Sequence, residues 1–338
     1  MKRSYSPIGN EEYTIGWVSA LPKEMAAATY MLDEYHDEPQ WRSPGDCAAY
    51  NLGRMGAHNV VIVCLRKGIY GPSSAKQAAG HMARTFRNLR YILMVGIGGG
   101  TPSDDNDIRL GDVVVSVPSY GHGGVMHYDL EPELRVRAFD HQPPEVLLDA
   151  VCALGLRAEE HRPQILQHVE DMVTKYPRLR RHGFAYDSTR IDRLHDTEDR
   201  HIKRPNRQDE GPVVHYGLVA SGSQLVKDAA IRGQLAKRGI KCVEMEAAGL
   251  VDDYPCLVIR GICDYADKYK NDDWQEYAAA TAAGYAKELL RVNSLLAEED
   301  SQLMELSTVA SEEILRDAVY ICVSFSILIT SLIYMRKT

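Results

Sequence analysis

Tyr91-Ile-Leu-Met-Val-Gly-Ile-Gly-Gly-Gly-Thr101 is a short apolar run that breaks into glycine. Residues 91–96 are apolar almost throughout, as a strand covered on both faces requires. The glycines behind them fail the dinucleotide fingerprint, because its sixth position falls on Thr101, and they lack the Gly-Lys-Ser/Thr of a phosphate loop. They read as a loop that lets backbone come close to a ligand or to another chain segment. Outward from this run the pattern repeats: residues 13–20, 60–65, 112–118, 213–221, 240–244 and 256–261 also read as strands. Helical stretches follow several of them. Pro22 and Pro72 stand at first helical positions, Ser223 is placed to cap a helix that stops at Gly239, and residues 274–297 form an alanine-rich amphipathic helix. Such alternation predicts one α/β domain, over residues 13–297, around a largely parallel sheet.

The 338 residues are ordinary in composition, 45% hydrophobic and 25% charged, which excludes a disordered or fibrous chain. A net charge of −8 argues against a general nucleic-acid binder, which needs a basic surface. Seven cysteines without a CxxC spacing read as reduced thiols, and no HExxH or paired Cys/His spacing suggests a metal. No cofactor is expected. Residues 1–12 form a short tail without the apolar stretch of a secretory signal.

Two segments depart from the rhythm. Residues 121–211 read as an insertion with two helices, at 145–159 and 164–175. A basic stretch follows, with ten Lys/Arg against five Asp/Glu over 175–207. It is either a solvated insertion or an anion-attracting lid over a substrate phosphate. Residues 298–317 read as a linker to the uncharged run 318–335, which as a helix would span about 27 Å, slightly less than a bilayer core. That run is either a C-terminal membrane anchor, leaving a cytoplasmic catalytic domain tethered to a membrane, or a buried element.

The carboxylates carry the chemistry. Glu24 lies one turn into the first helix. Glu244 and Glu246 bracket Met245 at a strand end, and Asp264 closes the run Leu257-Val-Ile-Arg-Gly-Ile-Cys-Asp264. Acids at the ends of three strands suit a site at the carboxyl edge of an α/β sheet, although any one of them could simply cap a helix. Beside apolar strands such acids risk desolvation, which raises a carboxyl pKa and suits it to proton donation.

Six stretches in order resemble the purine and uridine phosphorylase superfamily, nearest its fungal-type nucleoside phosphorylase/nucleosidase branch, which is related to methylthioadenosine/adenosylhomocysteine nucleosidases. They are 16–25, 95–100, 110–116, 217–224, 243–247 and 260–267. The resemblance implies a three-layer α/β/α fold with a twisted mixed sheet that partly closes, and cleavage of the bond between ribose and a base. On it, Asp264 matches the acid that protonates purine N7. Glu246 matches the carboxylate holding the ribose hydroxyls, with Met245 beneath the sugar and Glu244 beside it. Glu24 and Arg260 match the pair that positions water. Gly98 and Gly99 match backbone near ribose or phosphate, and Ser223, Leu225 and Val226 match the base-binding wall. Ile97 and Cys263 depart from the hydrolytic relatives, which carry serines there. The resemblance thus implies hydrolysis of a purine ribonucleoside or nucleotide, with adenosine or ATP as candidates, by a homo-oligomer. A phosphorolytic enzyme and a catalytically silent nucleoside sensor remain the alternatives.

Overall fold

The computed structural model describes residues 5–6, 8–131, 133–139, 141–160, 164–207 and 211–292. In chain order the first half runs β1 (Tyr5–Ser6), β2 (Ile15–Ser19), α1 (Pro22–Tyr30), β3 (Glu34–His36), β4 (Tyr50–Met55), β5 (His58–Cys64), α2 (Pro72–Thr85), β6 (Tyr91–Gly100), β7 (Val113–Ser116), β8 (Val125–Asp129) and β9 (Arg135–Ala138). The second half runs α3 (Glu145–Glu160), α4 (Ile165–Lys175), α5 (Pro177–Arg181), β10 (Leu194–His195), β11 (His201–Ile202), β12 (Val214–Ser221), α6 (Ala229–Ala236), β13 (Ile240–Glu244), β14 (Cys256–Asp264) and α7 (Gln275–Val292).

Twelve of these strands form one mixed sheet in the order β1-β3-β4-β5-β2-β6-β14-β7-β12-β8-β9, with β13 joining β12 to β6. That last pairing closes β6, β14, β7, β12 and β13 into a ring, parallel at β12–β13 and antiparallel at β13–β6. Glycine makes the closure possible. A Cβ on Gly98 would stand 3.0 Å from Cys242 Sγ and from the Val243 carbonyl, so a side chain there would push β13 away. The glycine run is therefore the end of strand β6 and not the loop that its composition suggests. Strand propensity disfavours glycine, but here close approach of a second strand outweighs that preference.

Side chains alternate across the central strands. On one face Val61, Val63, Ile92, Met94 and Val258 meet Ala75, Ala79 and Met82 of α2 in one buried cluster. The register Trp17–Leu93–Leu257 occupies the other face, where α7 packs on β6 and β14 with α1 and α4 against it. All three side chains are fully buried, each contributing about 1.5–3 kcal/mol relative to exposure. Contact between α7 and β14 is tight: a Cβ on Gly261 would lie 1.9 Å from the Ala278 carbonyl oxygen.

Several boundaries differ from the sequence expectation. The helix after β12 starts at Ala229, not beside Ser223. Asp228 caps it, its Oδ1 accepting from the Ala230 N–H at 2.6 Å, while Ser223 lies exposed on the preceding loop. The span 121–211 is not wholly an interruption, since β8 pairs with β12 and carries β9 on the main sheet. Four arginines of its basic stretch are engaged in ion pairs. Arg204 pairs with Asp192 and Asp107, Arg207 with Asp112 at 2.6 Å, Arg180 with Glu170 and Arg200 with Asp196. The Arg204–Asp107 and Arg207–Asp112 pairs tie the arm to the β6–β7 connection.

The described residues between 5 and 292 form one compact unit. The linker 298–317 and the apolar run 318–335 lie outside the described residues. Among the described residues no helix is long and apolar enough to cross a membrane.

Candidate functional site

The ring of strands brings four sequence-predicted residues into one buried cluster. Pro22 starts α1 immediately after β2, so Glu24 falls in its first turn and reaches back over the strand end. Its Oε2 accepts from the N–H groups of Ala20 (2.7 Å) and Leu21 (2.9 Å), and its Oε1 from that of Ile97 (2.8 Å). Gly96 leaves room for this crossing, since a Cβ there would lie 2.4 Å from Glu24 Oε1 and 2.6 Å from Arg260 Nη1. Arg260, from the middle of β14, is fully buried. It pairs with Glu244, lies 3.7 Å from Glu246, and donates to the Ile97 carbonyl at 3.3 Å. Its Nε has no hydrogen-bond partner among the described residues.

Glu244 ends β13, and its carboxylate accepts from the N–H groups of Glu246 and Ala247 near 3.1 Å. It caps the short turn that carries Glu246, while Met245 between them is half-buried. The Gly71 N–H lies near enough to the Glu246 carboxylate to favour its ionised form. Three carboxylates thus surround one guanidinium with little water. Burial pushes Glu246 up to about 7, against the pull of Arg260 and with help from the charges of Glu244 and Glu24. Burial likewise raises Glu24, against Arg260 and its three backbone donors. Burial alone would lower the Arg260 guanidinium, but the glutamates raise it instead.

Asp264, at the end of β14, is buried as well, and the Cys242 thiol lies within the electrostatic reach of Arg260, Glu244 and Asp264. A Cβ on Gly99 would lie 2.8 Å from Asp264 Oδ1, so the second glycine of the run makes space for this acid. Oδ1 accepts from the Ala266 N–H at 2.9 Å, and Ala266 takes φ +50°, a conformation that costs a non-glycine residue about 1–2 kcal/mol. Cys263 donates its thiol toward Oδ2 at 3.2 Å. Where the resemblance leads one to expect a serine, Cys263 thus also donates to Asp264, as a weaker donor.

Sequence reasoning missed Lys270, whose Nζ pairs with Asp264 Oδ2. Burial would lower this lysine, but Cys263 and Asp264 hold it above its ordinary value. A lysine paired with Asp264 departs from the expected picture of an acid in an apolar pocket. No periodic signal in the turn 265–274 could have announced it. The predicted base wall is divided in exposure. Val226 is buried against Tyr128 and Ala266, whereas Leu225 is 47% exposed and Ser223 is also exposed. Among the described residues no group of His, Cys, Asp or Glu is placed to hold a metal ion.

Comparison with known proteins follows this geometry. The model of the phosphorylase superfamily matches residues 14–292. A nucleotide-binding leucine-rich repeat (NLR)-like protein of Hyaloscypha variabilis is 41% identical over 308 residues, covering 88% of this chain. The match spans only 31% of that relative's length. A 5′-methylthioadenosine/S-adenosylhomocysteine nucleosidase of Mycobacterium bovis is 24% identical, covering 84% of this chain and 98% of its own. The crystal structure of the nucleosidase of that name from Neisseria meningitidis, in complex with methylthio-immucillin-A, superposes with a TM-score of 0.53. It is 18% identical and covers 82% of this chain and 98% of its own.

Proposed function

The chain belongs to the phosphorylase superfamily, and from that premise we propose that it hydrolyses the N-glycosidic bond of a purine ribonucleoside or nucleotide, with adenine the favoured base. The observation that carries this reading is the excess of acid around Arg260. Glu24, Glu244 and Glu246 are buried with a single guanidinium, and two of them are held above the usual carboxylate range. Such a cluster repels a phosphate dianion but suits a water molecule and a developing cation.

In the proposed reaction the bond from C1′ to the base breaks first, leaving an oxocarbenium-like ribose. Glu246 accepts hydrogen bonds from the ribose hydroxyls, Met245 lies beneath the sugar, and the carboxylate charge stabilises that cation more than the ground state. Glu24, which burial makes a better base, takes a proton from the attacking water, and the unpartnered Nε of Arg260 helps to hold it. The new C1′–O bond completes hydrolysis.

Departure of the base requires a proton at N7, and the Asp264–Lys270 pair supplies it. Lys270 passes a proton to the Asp264 carboxylate, which delivers it to N7, and the 23% exposed lysine side chain is re-protonated from solvent. Gly98 and Gly99 bring backbone beside the ribose, and Val226, with Ser223 and Leu225 at the rim, walls the base.

Chromatographic product analysis of adenosine, inosine, methylthioadenosine, AMP and ATP, with and without phosphate, tests the proposal. Free base and free ribose (or its 5′-substituted form) without phosphate are the expected products. Ribose 1-phosphate formed only with phosphate present would reassign the chain to phosphorolysis.

A further inference from the structure

A cavity of about 570 Å³ opens beside the carboxylate cluster, between α1, α2 and the carboxyl end of β5. Its size is that of an ordinary small-molecule site. None of the four cluster residues lines it, but chain neighbours of Glu24 do. Pro22 and Met25, which flank Glu24, line it, and the Cys64 thiol on its wall is pushed up to about 12 by burial and by the charge of Glu24. The loop from Arg66 to Gly71 leads from the cavity wall towards the cluster: a Cβ on Gly71 would lie 3.8 Å from the Met245 carbonyl oxygen, next to Glu246.

The two neighbours differ in electrical sign. Glu24, Glu244 and Glu246 outnumber Arg260 in the cluster, whereas no Asp or Glu lines the cavity. Arg66, Lys67 and His81 do line it. Among the described residues neither Arg66 nor Lys67 forms an ion pair, in contrast to Lys23, which is paired with Glu276 at 2.7 Å. Ser74 and Gln77, from the first turns of α2, add polar groups at the positive end of a helix dipole. A ligand spanning both regions needs an uncharged polyol at the carboxylates and an anion one loop away.

We infer that this cavity receives the 5′-phosphate end of a nucleoside 5′-phosphate, with Arg66 and Lys67 as its ligands. This rests on the proposed reading of Glu246 as the ribose carboxylate, and it selects nucleotides over nucleosides as the substrate class. Charge-assisted hydrogen bonds from a guanidinium suit phosphate oxygens, and the exposed setting makes their contribution sensitive to salt.

Isothermal titration of adenosine, AMP and ATP into the full chain tests it directly. Wild type is expected to bind AMP or ATP at least tenfold more tightly than adenosine, with the preference shrinking as salt rises. In Arg66→Gln/Lys67→Gln that preference should fall at least tenfold. In the charge-conserving Arg66→Lys/Lys67→Arg it should persist, and thermal melting of both variants checks their folding. Equal affinities in wild type, or a preference untouched in the glutamine pair, would overturn the inference. Base release measured on the same panel separates the two ideas. Nucleotide preference without turnover leaves the cavity assignment standing and removes the hydrolase, whereas turnover without preference does the reverse.

Discussion

Replacing Glu246 by glutamine should stabilise the protein by an amount that grows with pH. Glu246 is raised by burial, and by its carboxylate neighbours, from 4.5 to about 7. The sign follows from proton counting. Between these two values the folded chain keeps a proton that the unfolded chain has released, so stability is fully present below about pH 4.5 and is lost as pH rises through about 7. The displacement of about 2.5 units at about 1.36 kcal/mol per unit gives a loss of about 3 kcal/mol by pH 8.

Glutamine has nearly the shape of the protonated acid and no charge to release, so Glu246→Gln should escape that loss. Its stability relative to wild type should be near zero at pH 4.5 and about 3 kcal/mol higher at pH 8. Glu24, also raised, would feel one charge fewer and moves the difference in the same direction. Urea unfolding followed by tryptophan fluorescence, at half-unit steps from pH 4.5 to 8.5, reads the effect, and Trp17 is a fully buried reporter. A difference between the two proteins that stays constant with pH would refute the reasoning. If Glu246 also holds ribose, the stabler variant should lose at least about a hundredfold in kcat/KM, the trade expected where a strained polar cluster serves a reaction.

Three further outcomes follow from the geometry. Asp264→Asn should lower base release by about 10²–10⁴-fold, the usual worth of a general acid, with adenine formation as the readout. Lys270→Met and Lys270→Arg should both lose at least about tenfold in kcat, because arginine cannot give up its proton; recovery of activity in the arginine variant would show that charge alone matters and sink the relay. Gly261→Ala should destabilise by about 3 kcal/mol or more, since its Cβ would sit 1.9 Å from the Ala278 carbonyl oxygen and α7 would have to shift. A melting temperature close to wild type would contradict that packing.

The parts of the fold legible in the sequence are those fixed by local chemistry. The run 240–244 is strand β13 to the residue, because apolar positions and a following acid mark both ends. Pro22 and Pro72 start helices where their fixed φ is compatible. Misreadings came from non-local causes. Gly98 to Gly100 extend β6 because β13 must approach it, and no window of sequence contains both strands. Tyr50–Met55 pairs with β5 although Asn51, Gly53 and Arg54 hide its alternation. Clustering of Glu24, Glu244 and Glu246 could be anticipated from their places at or just after strand ends, whereas Arg260, in the middle of β14, is reached only through the family resemblance. Lys270 could not, since only the turn through Ala266 brings it onto Asp264.

The balance of charge explains why two such different regions adjoin one another. With every group ionised, three glutamates and one arginine leave the cluster at −2, and protonation of Glu246 near neutrality relieves part of it. An added phosphate dianion at that point would meet repulsion of about 4 kcal/mol per pair of unit charges at 4 Å and an effective dielectric of 20. A cationic sugar would gain by a similar amount, so the same field that opposes a phosphate nucleophile favours the transition state of hydrolysis. A substrate that itself carried phosphate would need that anion held away from the glutamates and matched by separate cations. Arg66 and Lys67, which form no ion pair among the described residues, would meet that requirement. On the proposed reading, the segregation of acid and base either side of residues 66–71 would let one site reject phosphate as nucleophile while accepting it as part of the substrate.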